Sequence, residues 1–166
     1  MALFSKRQST QPSLFTLPAN LRSDIRRVFE TAPGDACGGL LQAAEIFPAL
    51  LVLNDRLPAE EAVSTLTRCR EYTIGDGYMV LTNRRLVFTL QPIPGTAGLH
   101  SGPPNVVAIP LSDISKFVFD GGMAGLNADN YPGGSITVAL PGGGPYSRSV
   151  CEAVSAAVNQ NGKFGL

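Results

Sequence analysis

The sequence predicts a mainly β protein of the α+β class, in which two short helices precede about seven short strands and one helix ends the chain. One observation is a hairpin pattern, in which two apolar stretches, residues 78–81 and 85–90, flank the polar turn Asn83-Arg84. Another is that further short apolar stretches follow at intervals bounded by glycine and proline, which is typical of a sandwich or barrel. A third is helical spacing of apolar residues at both ends of this region.

The first predicted helix spans residues 17–30, where apolar side chains recur at i, i+4, i+7 and i+8: Leu21, Ile25, Val28 and Phe29. Pro33-Gly34 is expected to end it. A second helix is predicted over residues 39–54. Because proline has no backbone donor, Pro48 is expected to kink or split this helix near Glu45.

Strand-like alternation begins near residue 61. Residues 75–77 are interpreted as a turn, residues 92–105 as a proline- and glycine-rich loop, and residues 121–134 as a glycine-rich loop. Beyond the hairpin, strands are predicted over residues 62–72, 106–109, 116–119, 135–140 and 146–149. The final helix is expected from Val150 to about residue 160.

Two segments carry a family resemblance: the hairpin of residues 77–88, and Ile109-Pro110-Leu111-Ser112-Asp113-Ile114 followed by Phe117. They resemble the bacterial pleckstrin-homology-like (PH-like) domains and the related GRAM domains, over about residues 58–160. The resemblance implies a bent, nearly closed seven-stranded PH-like barrel capped by a C-terminal helix. Together with the helical patterns, this resemblance predicts that the chain divides into a flexible leader (1–16), a helical segment (17–57) and the barrel domain (58–166).

Members of that family bind lipids, peptides or other proteins, so the resemblance implies a binding module rather than an enzyme. Its phosphoinositide-binding members carry several Lys or Arg residues on the first two strands and the loop between them. Here the loop of residues 73–77 is acidic and lacks both residue types. This difference argues against recognition of inositol phosphates by the usual route.

Composition excludes several other classes of protein. The formal net charge is zero, which argues against a nucleic-acid partner, and charged residues make up only 16% of the chain. The three cysteines form no CxxC pair, so neither a disulfide framework nor a zinc site is expected, and the thiols should be reduced and mostly buried. Because no apolar run is long enough for a signal peptide or a membrane span, a cytoplasmic protein is predicted.

Two sets of residues are candidates for binding. Arg68 and Arg70 share one strand face, and Arg84 and Arg85 lie in the hairpin, where arginine suits phosphate contact. The alternative favoured for the hairpin pair is a solvated Arg84 and an Arg85 that pairs with a carboxylate. On the first helix, the candidate partner-binding residues for a membrane or a partner's groove are Arg22, Arg26 and Phe29, although packing against the barrel or the second helix is favoured.

No catalytic or metal-binding constellation is recognisable. His100 is the only histidine and lies in the proline- and glycine-rich loop, with no nucleophile motif beside it. Asp113, Asp120, Asp129 and Asn130 do not have the spacing of an EF-hand, and Asp113 is better explained as a structural acceptor. No cofactor and no metal are therefore expected.

The sequence thus predicts a non-enzymatic interaction module, of bacterial or phage origin, whose ligand is another protein or a second copy of itself. The first alternative is weak peripheral association with an anionic membrane. The second is a structural subunit of a larger assembly, such as a phage or secretion-related particle.

Overall fold

The computed structural model describes residues 17–31, 47–92, 103–140 and 144–161 of the chain. In this part of the chain two helices come first, α1 (Ser23–Thr31) and α2 (Phe47–Arg56). Seven strands follow, with a single 3-10 turn (Leu111–Asp113) between the fourth and fifth, and helix α3 (Pro145–Asn161) comes last. The strands are β1 (Val63–Glu71), β2 (Gly75–Thr82), β3 (Arg85–Gln91), β4 (Asn105–Pro110), β5 (Ile114–Asp120), β6 (Met123–Ala128) and β7 (Ser135–Ala139).

The seven strands form one antiparallel sheet in the order β4-β3-β2-β1-β7-β6-β5. This confirms the predicted mainly β class with its C-terminal helix, but the sheet is open, with β4 and β5 as its edges. β1 meets β7 through one residue pair, Arg70 and Ala139. The four-stranded part, β1 to β4, and the three-stranded part, β5 to β7, are therefore joined at a narrow corner.

The sheet has an apolar core on each side. The inner core lies between the two parts of the sheet and α3, and it includes Met79, Phe88, Leu126, Val138 and Val154. The outer core lies between β1–β3 and the two N-terminal helices, and it includes Ile25, Leu50, Leu66, Tyr78 and Val87. Strand β2 is buried on both faces, and residues 77–81 within it are apolar without interruption.

The N-terminal helices thus pack against the outer face of the sheet, as the sequence favoured for α1. Helix α1 begins at Ser23, later than predicted, because Pro18 belongs to a turn that the Leu21 N–H closes on the Pro18 carbonyl. The hydroxyl of Thr89 donates a hydrogen bond to the Ala49 carbonyl and so joins β3 to α2. The predicted start of α2, its kink near Glu45, the leader and His100 lie outside the described residues.

The prediction of a turn over residues 75–77 is wrong, because β2 already begins at Gly75 and pairs with β1 from there. A Cβ atom at Gly75 would lie 2.0 Å from the carbonyl oxygen of Gln91, and one at Gly77 would lie 1.8 Å from that of Thr89. These glycines therefore mark a close approach of the β3 backbone rather than a turn.

Two other predictions are wrong, but the total number of strands is unchanged, because one strand was missed and another was predicted where the chain is helical. The glycine-rich stretch 121–134 contains β6, because only Gly121 and Gly122 form the turn after β5, each with a positive φ. The predicted strand 146–149 is helical, since α3 begins at Pro145, and proline is favoured in the first turn of a helix.

We expect Gly77→Ala to destabilise the fold by more than about 2 kcal/mol, because the added methyl group would meet a backbone carbonyl that the sheet holds in place. The matched control is Gly125→Ala, whose Cβ would lie 3.4 Å from the Thr137 hydroxyl oxygen. The control should change the free energy of unfolding by only about 0.5 kcal/mol. Urea denaturation measures both, and equal stabilities would contradict the close approach.

Candidate binding surfaces

The guanidinium of Arg22 connects α1 to the segment between α2 and β1. It donates to the Asp24 carboxylate from Nε at 3.1 Å and from Nη2 at 2.9 Å. It also donates to the carbonyl oxygens of Leu57 and Glu61. Asp24 in turn accepts the backbone N–H of Val63 at 2.9 Å. Arg22 therefore fixes the start of α1 against the start of β1.

The hairpin turn between β2 and β3 is attached to the same segment. Glu61, whose side chain is 2% exposed, accepts hydrogen bonds from Arg85 Nε at 3.0 Å and Nη2 at 2.6 Å. It also accepts the Thr82 hydroxyl at 2.6 Å. Asn83 exchanges hydrogen bonds with the backbone of Ala62. We call the set Arg22, Asp24, Glu61, Thr82 and Arg85 the polar junction.

Both acids of the polar junction are held as carboxylates. Hydrogen bonds from Arg85 hold the pKa of Glu61 below its ordinary value, although burial acts in the opposite direction. Burial would raise the pKa of Asp24, but hydrogen bonds from Arg22 and from the Val63 and Ile25 N–H groups together lower it. Arg22 and Arg85, two of the predicted binding residues, thus have their charges balanced within the fold.

Arg68 and Arg70 share one face of β1, and both reach Asp76 on β2. Arg70 makes two hydrogen bonds to the Asp76 carboxylate, from Nε at 2.6 Å and from Nη2 at 2.7 Å. Arg68 is 7% exposed, and its Nη2 lies 3.9 Å from Asp76 Oδ2. One carboxylate therefore faces two arginines in a largely covered position.

The four arginines predicted to bind a ligand do not form one patch. Asp76, beside Arg68 and Arg70, and Thr82, beside Arg84 and Arg85, lie at opposite ends of β2. At the usual rise per residue, this separation is about 20 Å. Arg84 is exposed in the turn and Arg85 pairs with Glu61, as in the alternative that the sequence favoured.

The candidate partner-binding residues of α1 mostly make contacts within the molecule. Arg26 donates to the Pro18 carbonyl and lies 3.9 Å from Glu30. The ring of Phe29 meets that of Tyr78 edge-on, with centroids 6.1 Å apart. The apolar side of α1 is therefore occupied by the sheet.

The outer surface of β5–β7 is different, because no helix or strand among the described residues covers it. Val118 is 51% exposed and Met123 40% exposed there. Gly125 leaves a shallow groove of about 270 Å³ between Val118 and Thr137. We call this surface the bare face; its members are Lys116, Val118, Met123, Gly125, Asn127, Ser135 and Thr137.

None of these residues was singled out from the sequence. The available signal was the alternation in β5, where Phe117 and Phe119 pack against the inner core while Lys116 and Val118 are exposed. That pattern shows which side chains share a face, but it does not show whether another element covers that face.

A second cleft, of about 240 Å³, lies between the β5–β6 turn and the first turns of α3, beside Cys151. Burial, followed by the charge of Glu152, raises the pKa of Cys151 to about 11, and burial raises that of Cys69 still further. Both thiols are buried, as predicted, and protonated at neutral pH, so they are poor nucleophiles.

The predicted structural role of Asp113 is confirmed, because its carboxylate accepts the side-chain amide of Asn130 at 3.2 Å. The described residues contain no group of three or more His, Cys, Asp or Glu side chains placed to hold a metal ion. Among those same residues, no helix has both the length and the apolar character needed to cross a membrane.

We expect Glu61→Gln to lower the free energy of unfolding by about 1–3 kcal/mol, because Arg85 loses its charged partner in a mostly covered site. The control is Glu60→Gln, which removes the same charge from the exposed neighbouring residue. That control should have little effect. Chemical denaturation at neutral pH compares the two, and equal losses would show that the polar junction does not stabilise the fold.

Stability should also fall in acid. The folded-state pKa values of Asp24 and Glu61 lie below their ordinary values of 3.8 and 4.5, so the stabilisation is present above those values. It is lost as the pH falls through the folded-state values. Unfolding measured between pH 7 and pH 2 should show a smaller loss for Glu61→Gln than for the unaltered protein. The same slope in both would contradict this assignment.

No protein-family model and no curated protein matches this chain. Among solved structures, the crystal structure of a DUF1696 family protein with a pleckstrin-homology domain, from Shewanella loihica PV-4, is similar to it. The two are 14% identical, with a TM-score of 0.43, over 64% of this chain and 87% of that chain.

Proposed function

We propose that this chain is a non-enzymatic binding module that takes up a segment of another protein on the bare face and along the neighbouring edge of β5. The observation that carries the proposal is that helices cover the outer side of one part of the sheet but not of the other. Helices α1 and α2 bury the outer side of β1–β3, whereas the outer side of β5–β7 has no such cover among the described residues.

The edge of β5 suits a polypeptide ligand. In the described chain β5 pairs with β6 alone, so its other side presents unpaired backbone N–H and carbonyl groups. An extended peptide can pair with such an edge as an added strand, with side chains lying on the adjoining face. The other edge, β4, is flanked by Pro104 and ends at Pro110, which cannot donate, whereas β5 contains no proline.

The charges also favour a protein over an anionic membrane. Each cation near a membrane surface contributes about 1 kcal/mol of attraction. The bare face contains one cation, Lys116, and Asp120 lies on the same strand face. The arginines of the polar junction and of β1 are engaged with Asp24, Glu61 and Asp76.

Two further observations support the proposal. The hairpin resembles PH-like domains, whose members bind peptides or other proteins as well as lipids. The buried, protonated thiols of Cys69 and Cys151 favour a role other than catalysis. In the alternative of a structural subunit, the bare face would serve as an assembly contact.

The test is affinity capture from the cells that express the protein, with three variants compared. Val118→Asp places a charge on the bare face, and Gly125→Val fills the groove with a residue favoured in strands. The control, Tyr72→Asp, alters a side chain that is 71% exposed at the β1–β2 turn. A partner that uses the bare face should be recovered at least about tenfold less with both face variants, but normally with the control.

Equal recovery of every captured protein by all three variants would overturn the proposal, provided that circular dichroism shows each variant folded. Binding to vesicles containing anionic lipid, lost with increasing salt, would favour the membrane alternative instead.

A further inference from the structure

We propose that β5 pairs, antiparallel, with β5 of a second copy of this chain, about a two-fold axis at Val118. This inference rests on the proposed function in that it takes the same edge of β5 as a protein-binding edge, and it names a second copy of this chain as the protein that occupies it. It concerns the edge of β5, whereas the bare face beside the edge stays open in such a dimer.

The backbone of β5 is arranged for this pairing. Gly121-Gly122 forms a two-residue turn, so Asp120 and Met123 are the pair that closes the β5–β6 hairpin. From that pair, the alternation of an antiparallel ladder directs the backbone groups of Val118 toward β6. Those of Phe117 and Phe119 are therefore directed toward the free edge.

With the axis at Val118, Phe117 of one copy lies opposite Phe119 of the other, and the reverse pair forms as well. Each of these two pairs can exchange both an N–H and a carbonyl, which gives four hydrogen bonds across the axis. The two Val118 residues then face each other in the non-hydrogen-bonded position, where side chains approach most closely.

The side chains of the outer face match in the same register. Lys116, Val118 and Asp120 alternate on one face of β5, beyond the irregularity between Ile114 and Lys116. In the antiparallel pair, Lys116 of each copy lies opposite Asp120 of the other. The contact therefore has two opposite-charge pairs flanking a pair of valines, and opposite charges at directly facing positions stabilise a sheet.

Other registers lose this match. An axis at Phe117 would place Lys116 opposite Val118, and an axis at Phe119 would place Val118 opposite Asp120. In-register parallel pairing would set like charges side by side, which destabilises a sheet. The charges of β5 thus favour one self-complementary arrangement, as a two-fold interface requires, and disfavour its neighbours.

The inner face is compatible with this pairing. Phe117 and Phe119 are only half-buried against the inner core and α3. A second β5 would cover them further, and the bare faces of the two copies would join into one six-stranded surface. Because one strand pair buries a small area, the dimer should be weak and should depend on protein concentration.

The first measurement is sedimentation equilibrium of the full chain from about 10 µM to about 1 mM, a range chosen for a weak contact. The mass should rise from the 17.5 kDa of one chain toward twice that value. A single 17.5 kDa species over the whole range would overturn the dimer.

The register is tested by charge reversal. Lys116→Glu alone and Asp120→Lys alone each create two like-charge pairs, and each should weaken association at least about tenfold. Mixing the two single variants should restore association, because the introduced glutamate of one chain then faces the introduced lysine of the other. In the same mixed dimer, the retained Asp120 of the first chain faces the retained Lys116 of the second. The double variant Lys116→Glu with Asp120→Lys should also associate with itself.

The control is Arg27→Glu, which makes the same change of charge as Lys116→Glu on the exposed side of α1 and should leave the association of the unaltered chain unchanged. Failure of the mixture and of the double variant to associate would overturn this register. That failure is distinguishable from failure of the proposed function, since capture of another protein is tested with Gly125→Val, which leaves the charges of β5 intact.

Discussion

The polar junction is the constraint on which the arrangement of the molecule depends. It brings together the start of α1, the segment before β1 and the turn of the central hairpin through hydrogen bonds to Asp24 and Glu61. A buried carboxylate that loses its partner is costly, so none of these segments can detach without leaving a covered charge unpaired. The N-terminal helices are therefore part of the sheet's structure and do not form a separate arm.

That constraint determines which surface is left for binding. With α1 and α2 fixed over β1–β3, the apolar side chains of these helices are used internally, and Arg22 and Arg85 face carboxylates of the fold. In the described chain, these helices do not extend over the outer side of β5–β7. The proposed binding surface is therefore the part of the sheet that has few charges and an unpaired edge.

Much of the fold could be predicted from local patterns, because the hairpin at Asn83-Arg84 and the apolar face of α3 are set by residues near each other in sequence. The role of each glycine could not be predicted from the sequence. Gly77 permits close contact with a neighbouring strand, whereas Gly121 forms a turn. The proposed binding surface could not be predicted for a different reason. The pairing of Glu61 with Arg85 spans 24 positions, and the exposure of Val118 depends on what the rest of the chain covers.

The single residue pair between β1 and β7 has a mechanical consequence. The meander β1–β4 and the meander β5–β7 are each continuous ladders, but among the described residues only Arg70 and Ala139 pair across the boundary between them. Helix α3 contacts β1, β5 and the 3-10 turn, and so it holds the two meanders together across the corner. Partial unfolding should therefore divide the molecule along this line, with each meander protecting its own amides from exchange until α3 detaches.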